Sequence, residues 1–323
     1  MVSIIKKELY RKIIKIIKDY DEIVLARHIG PDPDALGSQL ALRDMIRELF
    51  DKKNVYALGN PASRFRHLGM LDKLEDNMSN TMLIVLDTPD IKRIDGVDLK
   101  DYDYIVKIDH HPFVEAYADI ELIDDTASST CQILLDMFLT LKFPISQSVA
   151  EKLYTGIVSD TDRFLHDYTS VNTFRLVTKL IEVTKLDFTK LYKPLYTRPI
   201  EEIKFQGYIY QNLTLTENGV AYIKIDEDLL KEYGVDSASP GNMINELKFV
   251  KDIVIWVFFS EDIKSNLIRA NIRSNGPIIN ELAARFGGGG HKYASGARLT
   301  SWQQTDSLIN ELDKLSMEYK SNN

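Results

Sequence analysis

At 323 residues the chain is long for one core, so two domains are expected. Hydrophobic residues at 44% and charged residues at 27% are ordinary globular values and exclude a mainly disordered chain. The net charge of −8 argues against a grip on long duplex nucleic acid, which needs a basic excess, and the single cysteine, Cys131, excludes an internal disulfide and a thiolate metal cluster.

In chain order, residues 1–20 interleave lysines with Ile4, Ile5, Ile13, Ile14, Ile16 and Ile17. This is an amphipathic helix with no signal-peptide pattern, expected to pack on the domain; its basic polar face keeps a membrane-surface helix as the alternative. Residues 22–26 read as a strand, 35–50 as a helix with Leu42, Met45, Ile46 and Leu49 on one face, and 54–58 as a second strand. Residues 81–86 and 104–108 are apolar runs of strand length, as expected of strands covered on both faces of a parallel sheet. Helices follow at 128–141, 148–158 and 171–184, with Cys131 read as a buried structural thiol in the first. Strand and helix alternation predicts an α/β fold with a doubly wound, mainly parallel sheet.

Pro194 and Pro199 mark the exit from this domain. The division is placed at 1–190 for the first domain, 191–206 for a linker and 207–323 for a smaller α+β domain. There, 212–216 and 220–225 predict a hairpin, 253–259 and 267–272 two further strands, and 278–286 a helix running into four glycines. The longest apolar run, 253–259, is too short to span a bilayer, and a cytoplasmic location is expected without a membrane partner.

Chemistry-bearing residues gather where the strands of the first domain end. His28, Asp32 and Asp34 follow the first strand, Asp87 ends the run at 83–86, and Asp109, His110 and His111 end the run at 105–108. Asp160, just after the helix expected to end at Val158, is placed to close the same crevice. Singly, each aspartate has a structural alternative as a turn residue or N-cap, and Asp34 is positioned to cap the helix beginning at Ala35. Together they outweigh that reading, because ligands of open α/β sheets bind beyond the carboxyl ends of the strands, and half of the six histidines fall there beside aspartates. Four crowded carboxylates, Asp32, Asp34, Asp87 and Asp160, would repel one another unless cations joined them. Two divalent metals with mixed imidazole and carboxylate ligation, in the range Mn, Fe, Co or Zn, meet that need and suit phosphoryl chemistry. In the second domain, Gly287 to Gly290 followed by His291 offers backbone amides and an imidazole to an anion; the alternative is a helix C-cap or flexible loop, although Gly287 alone suffices for a cap. Arg273 is a phosphate-binding candidate, with a plain surface arginine as the equal alternative.

These motifs resemble those of the DHH phosphoesterases. His28-Ile29-Gly30-Pro31-Asp32-Pro33-Asp34, Val85-Leu86-Asp87, Asp109-His110-His111-Pro112 and Gly156-Ile157-Val158-Ser159-Asp160-Thr161 are similar to the family's four motifs in order. Gly287 to His291 with Ala294-Ser295-Gly296-Ala297 resembles the glycine-rich motif of the DHH-associated C-terminal domain. The length and domain pairing are most similar to the bacterial nanoRNase branch, the bifunctional oligoribonuclease and pAp phosphatase type. The resemblance implies one metal on His28, Asp32 and Asp87 and another on Asp34, Asp87, His110 and Asp160, with Mn²⁺ the expected ion. It implies His111 at the scissile phosphate, Asp109 orienting the histidines, and Arg273, Gly288, Gly289, Gly290 and His291 binding substrate across a cleft between the domains. Short oligoribonucleotides and pAp are the implied substrates. Linear pApA turnover and a RecJ-like single-strand exonuclease are the enzymatic alternatives to that activity, and a type II inorganic pyrophosphatase shares the first-domain motifs. A nucleotide-binding sensor is the non-enzymatic alternative, and a homodimer would suit the family. One departure stands out: Asp162 occupies a position where many relatives carry a small residue, which puts an extra carboxylate near the cleft.

Overall fold

In the computed structural model, which describes residues 4–74 and 80–322, the chain divides into two units, Met1–Thr197 and Arg198–Asn323. The first contains, in order, α1 (Ile4–Asp19), β1 (Glu22–Ala26), α2 (Pro33–Leu49), β2 (Asn54–Ala57), β3 (Thr81–Leu86), β4 (Tyr104–Asp109), β5 (Ile120–Ile123), α3 (Thr130–Leu141), α4 (Gln147–Asp160), α5 (Val171–Thr184) and α6 (Thr189–Tyr196). Its five strands pair only in parallel, in the order β2-β1-β3-β4-β5. The order reverses at β1, with β2 on one side and β3 on the other. A crevice therefore opens beyond the carboxyl ends of β1 and β3, where such sheets bind ligands.

Pleating sends alternate residues to opposite faces. Ile23, Leu25, Met82, Ile84, Leu86, Val106 and Ile108 join the helices in the main core. Val24, Ala26, Leu83 and Val85 pack on the other face against Ile94, Val97, Leu99 and Tyr102 of the connecting segments. Burial on both faces explains why β3 is apolar at every position. Helix α1 packs into the main core through Tyr10, Ile13, Ile14 and Ile17, while Ile4 and Ile5 are exposed. That stripe is thus taken up by the protein's own core; residues 1–3 lie outside the described residues. β5, only four residues long, is a strand that the apolar pattern does not mark.

The span expected as a linker, 191–206, is mostly helical. It is occupied by the end of α6 and the start of α7 (Ile200–Asn212), leaving only 197–199 between them. Pro199 stands immediately before α7, where its missing donor costs nothing. The second unit continues with β6 (Thr214–Leu215), β7 (Val220–Ile225), α8 (Glu227–Tyr233), α9 (Ser239–Met243), β8 (Ile255–Asp262), β9 (Leu267–Ser274), α10 (Asn280–Arg285), β10 (Gly289–His291), β11 (Ala294–Leu299) and α11 (Trp302–Asn322). Its sheet runs β10-β11-β9-β8-β7-β6, antiparallel throughout except between β7 and β8. Ile255, Val257 and Phe259 of β8 face Leu308 and Leu312 of α11, whereas Trp256 and Phe258 face Phe205 and Ile209 of α7. Among the described residues no helix is long and apolar enough to cross a membrane.

Candidate active site

The site grows from the end of β1. His28 is almost fully buried, and its Nδ1 lies 3.0 Å from the Ile29 carbonyl. Donation to that carbonyl leaves Nε2 as the lone-pair nitrogen, 3.4 Å from Asp87 Oδ2 and 3.9 Å from Asp32 Oδ2. The cap of α2 is Asp32, not Asp34: the amides of Asp34 and Ala35 each donate to Asp32 Oδ1 at 2.9 Å, and Pro33 opens the helix. Asp32 thereby satisfies both readings of its motif, with one oxygen capping and the other turned to His28. Asp34 is buried and instead receives the amides of Thr130 at 2.7 Å and Cys131 at 2.9 Å, at the start of α3. Those amides carry the positive end of the α3 dipole and fix the carboxylate in place. Two glycines make this packing possible. A Cβ on Gly156 of α4 would sit 2.3 Å from Cys131 Sγ and 2.9 Å from Asp34 Oδ1, and one on Gly37 of α2 would sit 2.8 Å from the Lys152 carbonyl.

The middle of the sheet supplies the rest. Asp87 directly follows β3 in a left-handed conformation, φ 53°, and Thr130 Oγ1 donates to its Oδ1 at 3.1 Å. β4 ends on Asp109, whose Oδ1 accepts from the amide of His111 at 3.1 Å and lies 2.7 Å from His111 Nδ1. That contact holds the proton of the neutral ring on Nδ1. Among the described residues the other oxygen of Asp109 has no hydrogen-bond partner, and the fully buried Lys107 ammonium lies 3.8 Å from it. Lys107 itself donates to the carbonyls of Pro89 at 2.9 Å and Glu115 at 3.3 Å and sits over the Tyr117 ring. His110 Nε2 is 3.4 Å from both Asp87 Oδ1 and Asp160 Oδ2. Asp160 is the last residue of α4 and so lies inside that helix, which runs two residues further than the apolar pattern predicts. Thr130 and Lys107 are the functional neighbours that motif reading misses. The available signals were a hydroxyl just after Ser128-Ser129 at a helix start and a lone charge inside an apolar strand.

Three overlapping groups result: His28, Asp32 and Asp87; Asp87, His110 and His111; and Asp34, His110 and Asp160, each with ligand atoms within 4.8 Å of one another. Their electrostatics demand positive charge. Burial would raise the Asp87 carboxyl, yet hydrogen bonds from His110 and His28 and the nearby imidazolium charges hold it well below the usual range. Burial first, and then Asp87, push Asp34 up to about 7, and burial drives Asp160 well above the usual range. Burial opposes protonation of His110, but Asp160, Asp87 and Asp34 overcome it and raise the group well above an ordinary histidine. Protons thus compensate a carboxylate excess that bound cations would relieve. The donor set fits a pair of divalent metals: imidazole nitrogens and carboxylates are mixed, Asp87 is common to two groups, and Asp160 Oδ2 is buried without a hydrogen-bond partner among the described residues.

Asp162 has φ 45°, in the left-handed region that a small residue, above all glycine, adopts most easily. Its carboxylate is bound by Arg163 at 2.8 Å, so the extra charge is paired. In the second unit, Arg273 on β9 and His291 on β10 are brought into one row. Arg273 is the register partner of Ala294, and Ala294 is the partner of His291, so all three share a sheet face. Arg273 Nε also donates to Asn245 Oδ1 at 2.9 Å. Residues 289–291 form an edge strand where a loop was expected. Gly287, φ 72°, caps α10, while Cβ atoms on Gly288 and Gly290 would strike the Gly296 carbonyl at 1.8 Å and the Ala294 carbonyl at 2.7 Å. Close strand packing therefore accounts for Gly288 and Gly290; Gly289 alone faces open space.

Residues 22–157 match the DHH family, N-terminal domain, and residues 217–318 match the DHHA1 domain. A parallel sheet edged with aspartate and histidine, followed by a mixed-sheet domain, is the architecture of that class, and the chain belongs to the DHH family of phosphoesterases. It is 36% identical to the bifunctional oligoribonuclease and PAP phosphatase NrnA of Bacillus subtilis, across 96% of this chain and 99% of that protein. It is 34% identical to the probable bifunctional oligoribonuclease and PAP phosphatase NrnA of Streptococcus mutans, across 95% and 98%. The crystal structure of an exopolyphosphatase-related protein from Bacteroides fragilis shares the fold, with a TM-score of 0.83 at 21% identity over 96% of this chain and 98% of that one.

Proposed function

We propose that this protein hydrolyses very short oligoribonucleotides to mononucleotides and removes phosphate from pAp. The observation that carries the proposal is the sharing of Asp87 between His28–Asp32 and His110–His111, with Asp34 and Asp160 grouped on His110 in turn. One divalent ion would be held by His28, Asp32 and Asp87, the other by Asp34, Asp87, His110 and Asp160. Mixed nitrogen and oxygen donors make Mn²⁺ the proposed ion. When bound, such ions polarise phosphoryl oxygens and ease deprotonation of water. The chain's own part is to orient and to move a proton. Asp109 fixes His111 through Nδ1, which orients the imidazolium form to donate from Nε2 to the leaving oxygen, and Lys107 lies 3.8 Å from the second oxygen of Asp109. On the second unit, Arg273 and Gly288 to His291 are proposed to bind a substrate phosphate; an added Cβ at Gly289 would meet nothing within 4 Å, and His291 is exposed on the edge strand.

The acidic net charge of −8 supports small substrates over long strands. A cytoplasmic location belongs to the same proposal, supported by a lone, buried, unpaired cysteine. The test is to load the protein with Mn²⁺ and offer a dinucleotide, pAp, pApA and a long single strand. Faster breakdown of the long strand than of the dinucleotide would reject the reading, and tight nucleotide binding without release of phosphate or mononucleotide would favour a sensor. His291→Ala should raise KM on the dinucleotide while metal content stays unchanged.

A further inference from the structure

Just beyond α4 the backbone does something costly. Asp162, Arg163 and Phe164 are consecutive left-handed residues, with φ of 45°, 63° and 68°, a conformation that crowds the Cβ of an L-residue against the following carbonyl. Dense hydrogen bonding maintains it. The Arg163 amide donates to the Val158 carbonyl at 2.8 Å, and the Leu165 and His166 amides donate to the Thr161 carbonyl at 2.9 and 3.0 Å. The Phe164 amide donates to Thr161 Oγ1 at 3.0 Å, and the Arg163 guanidinium sits 5.4 Å from the Tyr196 ring centre. This turn brings the chain back on itself, so that the Tyr168 hydroxyl donates to the Asp160 carbonyl at 2.7 Å. The Tyr168 ring stacks on His166, with centroids 5.0 Å apart and planes at 23°. The hydroxyl's hydrogen bond sets the polar end of the ring directly beside Asp160, a member of the acid cluster. Even so, Tyr168 is 48% exposed. A flat ring pinned at its hydroxyl edge and half open to solvent contributes little to a core, but it meets the needs of base stacking.

We propose that Tyr168, backed by His166, is a stacking platform for the nucleobase of a substrate whose phosphate is held at the neighbouring Asp34–His110–Asp160 group. The inference builds on the phosphoesterase reading and adds a specificity-determining residue to it. Stacking on one aromatic side chain contributes about 1–3 kcal/mol per base, or roughly 5- to 150-fold in affinity. It is tested on the Mn²⁺-loaded protein by calorimetric titration with AMP and with ribose 5-phosphate, which has the same phosphate and no base. Wild type should prefer AMP by a factor in that range, and Tyr168→Ala should erase the preference while leaving ribose 5-phosphate binding unchanged. Tyr168→Phe retains the ring and should retain the preference, which controls for folding; His166→Ala should reduce it in part. An absent AMP preference in wild type, its survival in Tyr168→Ala, or equal weakening of both ligands would overturn the proposal. Dinucleotide hydrolysis by the same preparations reads the parent function separately: Tyr168-dependent AMP binding without cleavage would sink the hydrolytic reading and leave the platform standing.

Discussion

Asp87 answers to four neighbours: His28, His110, His111 and Thr130 all lie within 3.5 Å of its oxygens. Asp87→Ala should therefore lower bound Mn²⁺ from two ions per chain toward none and abolish activity, read by metal analysis and by a dinucleotide assay. His111→Ala should keep both ions while kcat falls about 10²- to 10⁴-fold, the scale of a lost general acid. A drop in metal content in this second variant would instead make His111 a ligand. Asp34, pushed up to about 7 by burial and Asp87, sets the sign of a pH effect. Below about pH 7 its proton competes with the cation, so Mn²⁺ affinity should rise as pH rises through that value. Titrations in two buffers of different ionisation enthalpy should show proton release near pH 6.5 and less at pH 8.

At the scale of elements, three helices meet beneath the cluster through residues chosen for smallness: Gly37 on α2, Cys131 on α3 and Gly156 on α4. Gly156→Ala should destabilise the protein by about 1–3 kcal/mol in a denaturant titration, as overpacking does, and should lower metal content by displacing Asp34. Adding Cys131→Ala, which removes the clashing sulfur, should restore part of the stability. How much of this was legible from sequence follows the kind of interaction involved. β1, β3 and β4 and their terminal aspartates and histidines stand out because burial on both faces writes itself as an apolar run and the polar residues interrupt it. β5, β10 and β11 do not, because a four-residue strand and a glycine-rich pair owe their structure to partners distant in sequence. For the same reason the four glycines suggested an anion loop, when two of them serve strand packing. The cap of α2 went to Asp32 because Pro33, fixed in φ, makes the first helical residue.

For the whole molecule, charge pairing in the first unit governs acid stability. Asp44, Asp72, Asp95 and Asp124 all titrate below the ordinary 3.8, since hydrogen bonds and ion pairs with groups such as Lys152, the Ala57 amide, the Asn60 amide and Lys6 outweigh burial. A depressed carboxylate adds stability that is complete above its unfolded value and is lost as pH falls through the folded one. The contribution of these four pairs should thus be complete above pH 3.8 and be lost below it, with Asp95→Asn flattening that acid decline. The buried thiol of Cys131, raised well above an ordinary cysteine by burial and by Asp34, has a practical corollary. The chain's one sulfhydryl lies in the first unit and both of its indoles, Trp256 and Trp302, lie in the second. Thiol-reagent labelling and indole emission are therefore separate built-in gauges, and following both along one unfolding ramp tells whether the halves melt in concert or in turn, with no label introduced.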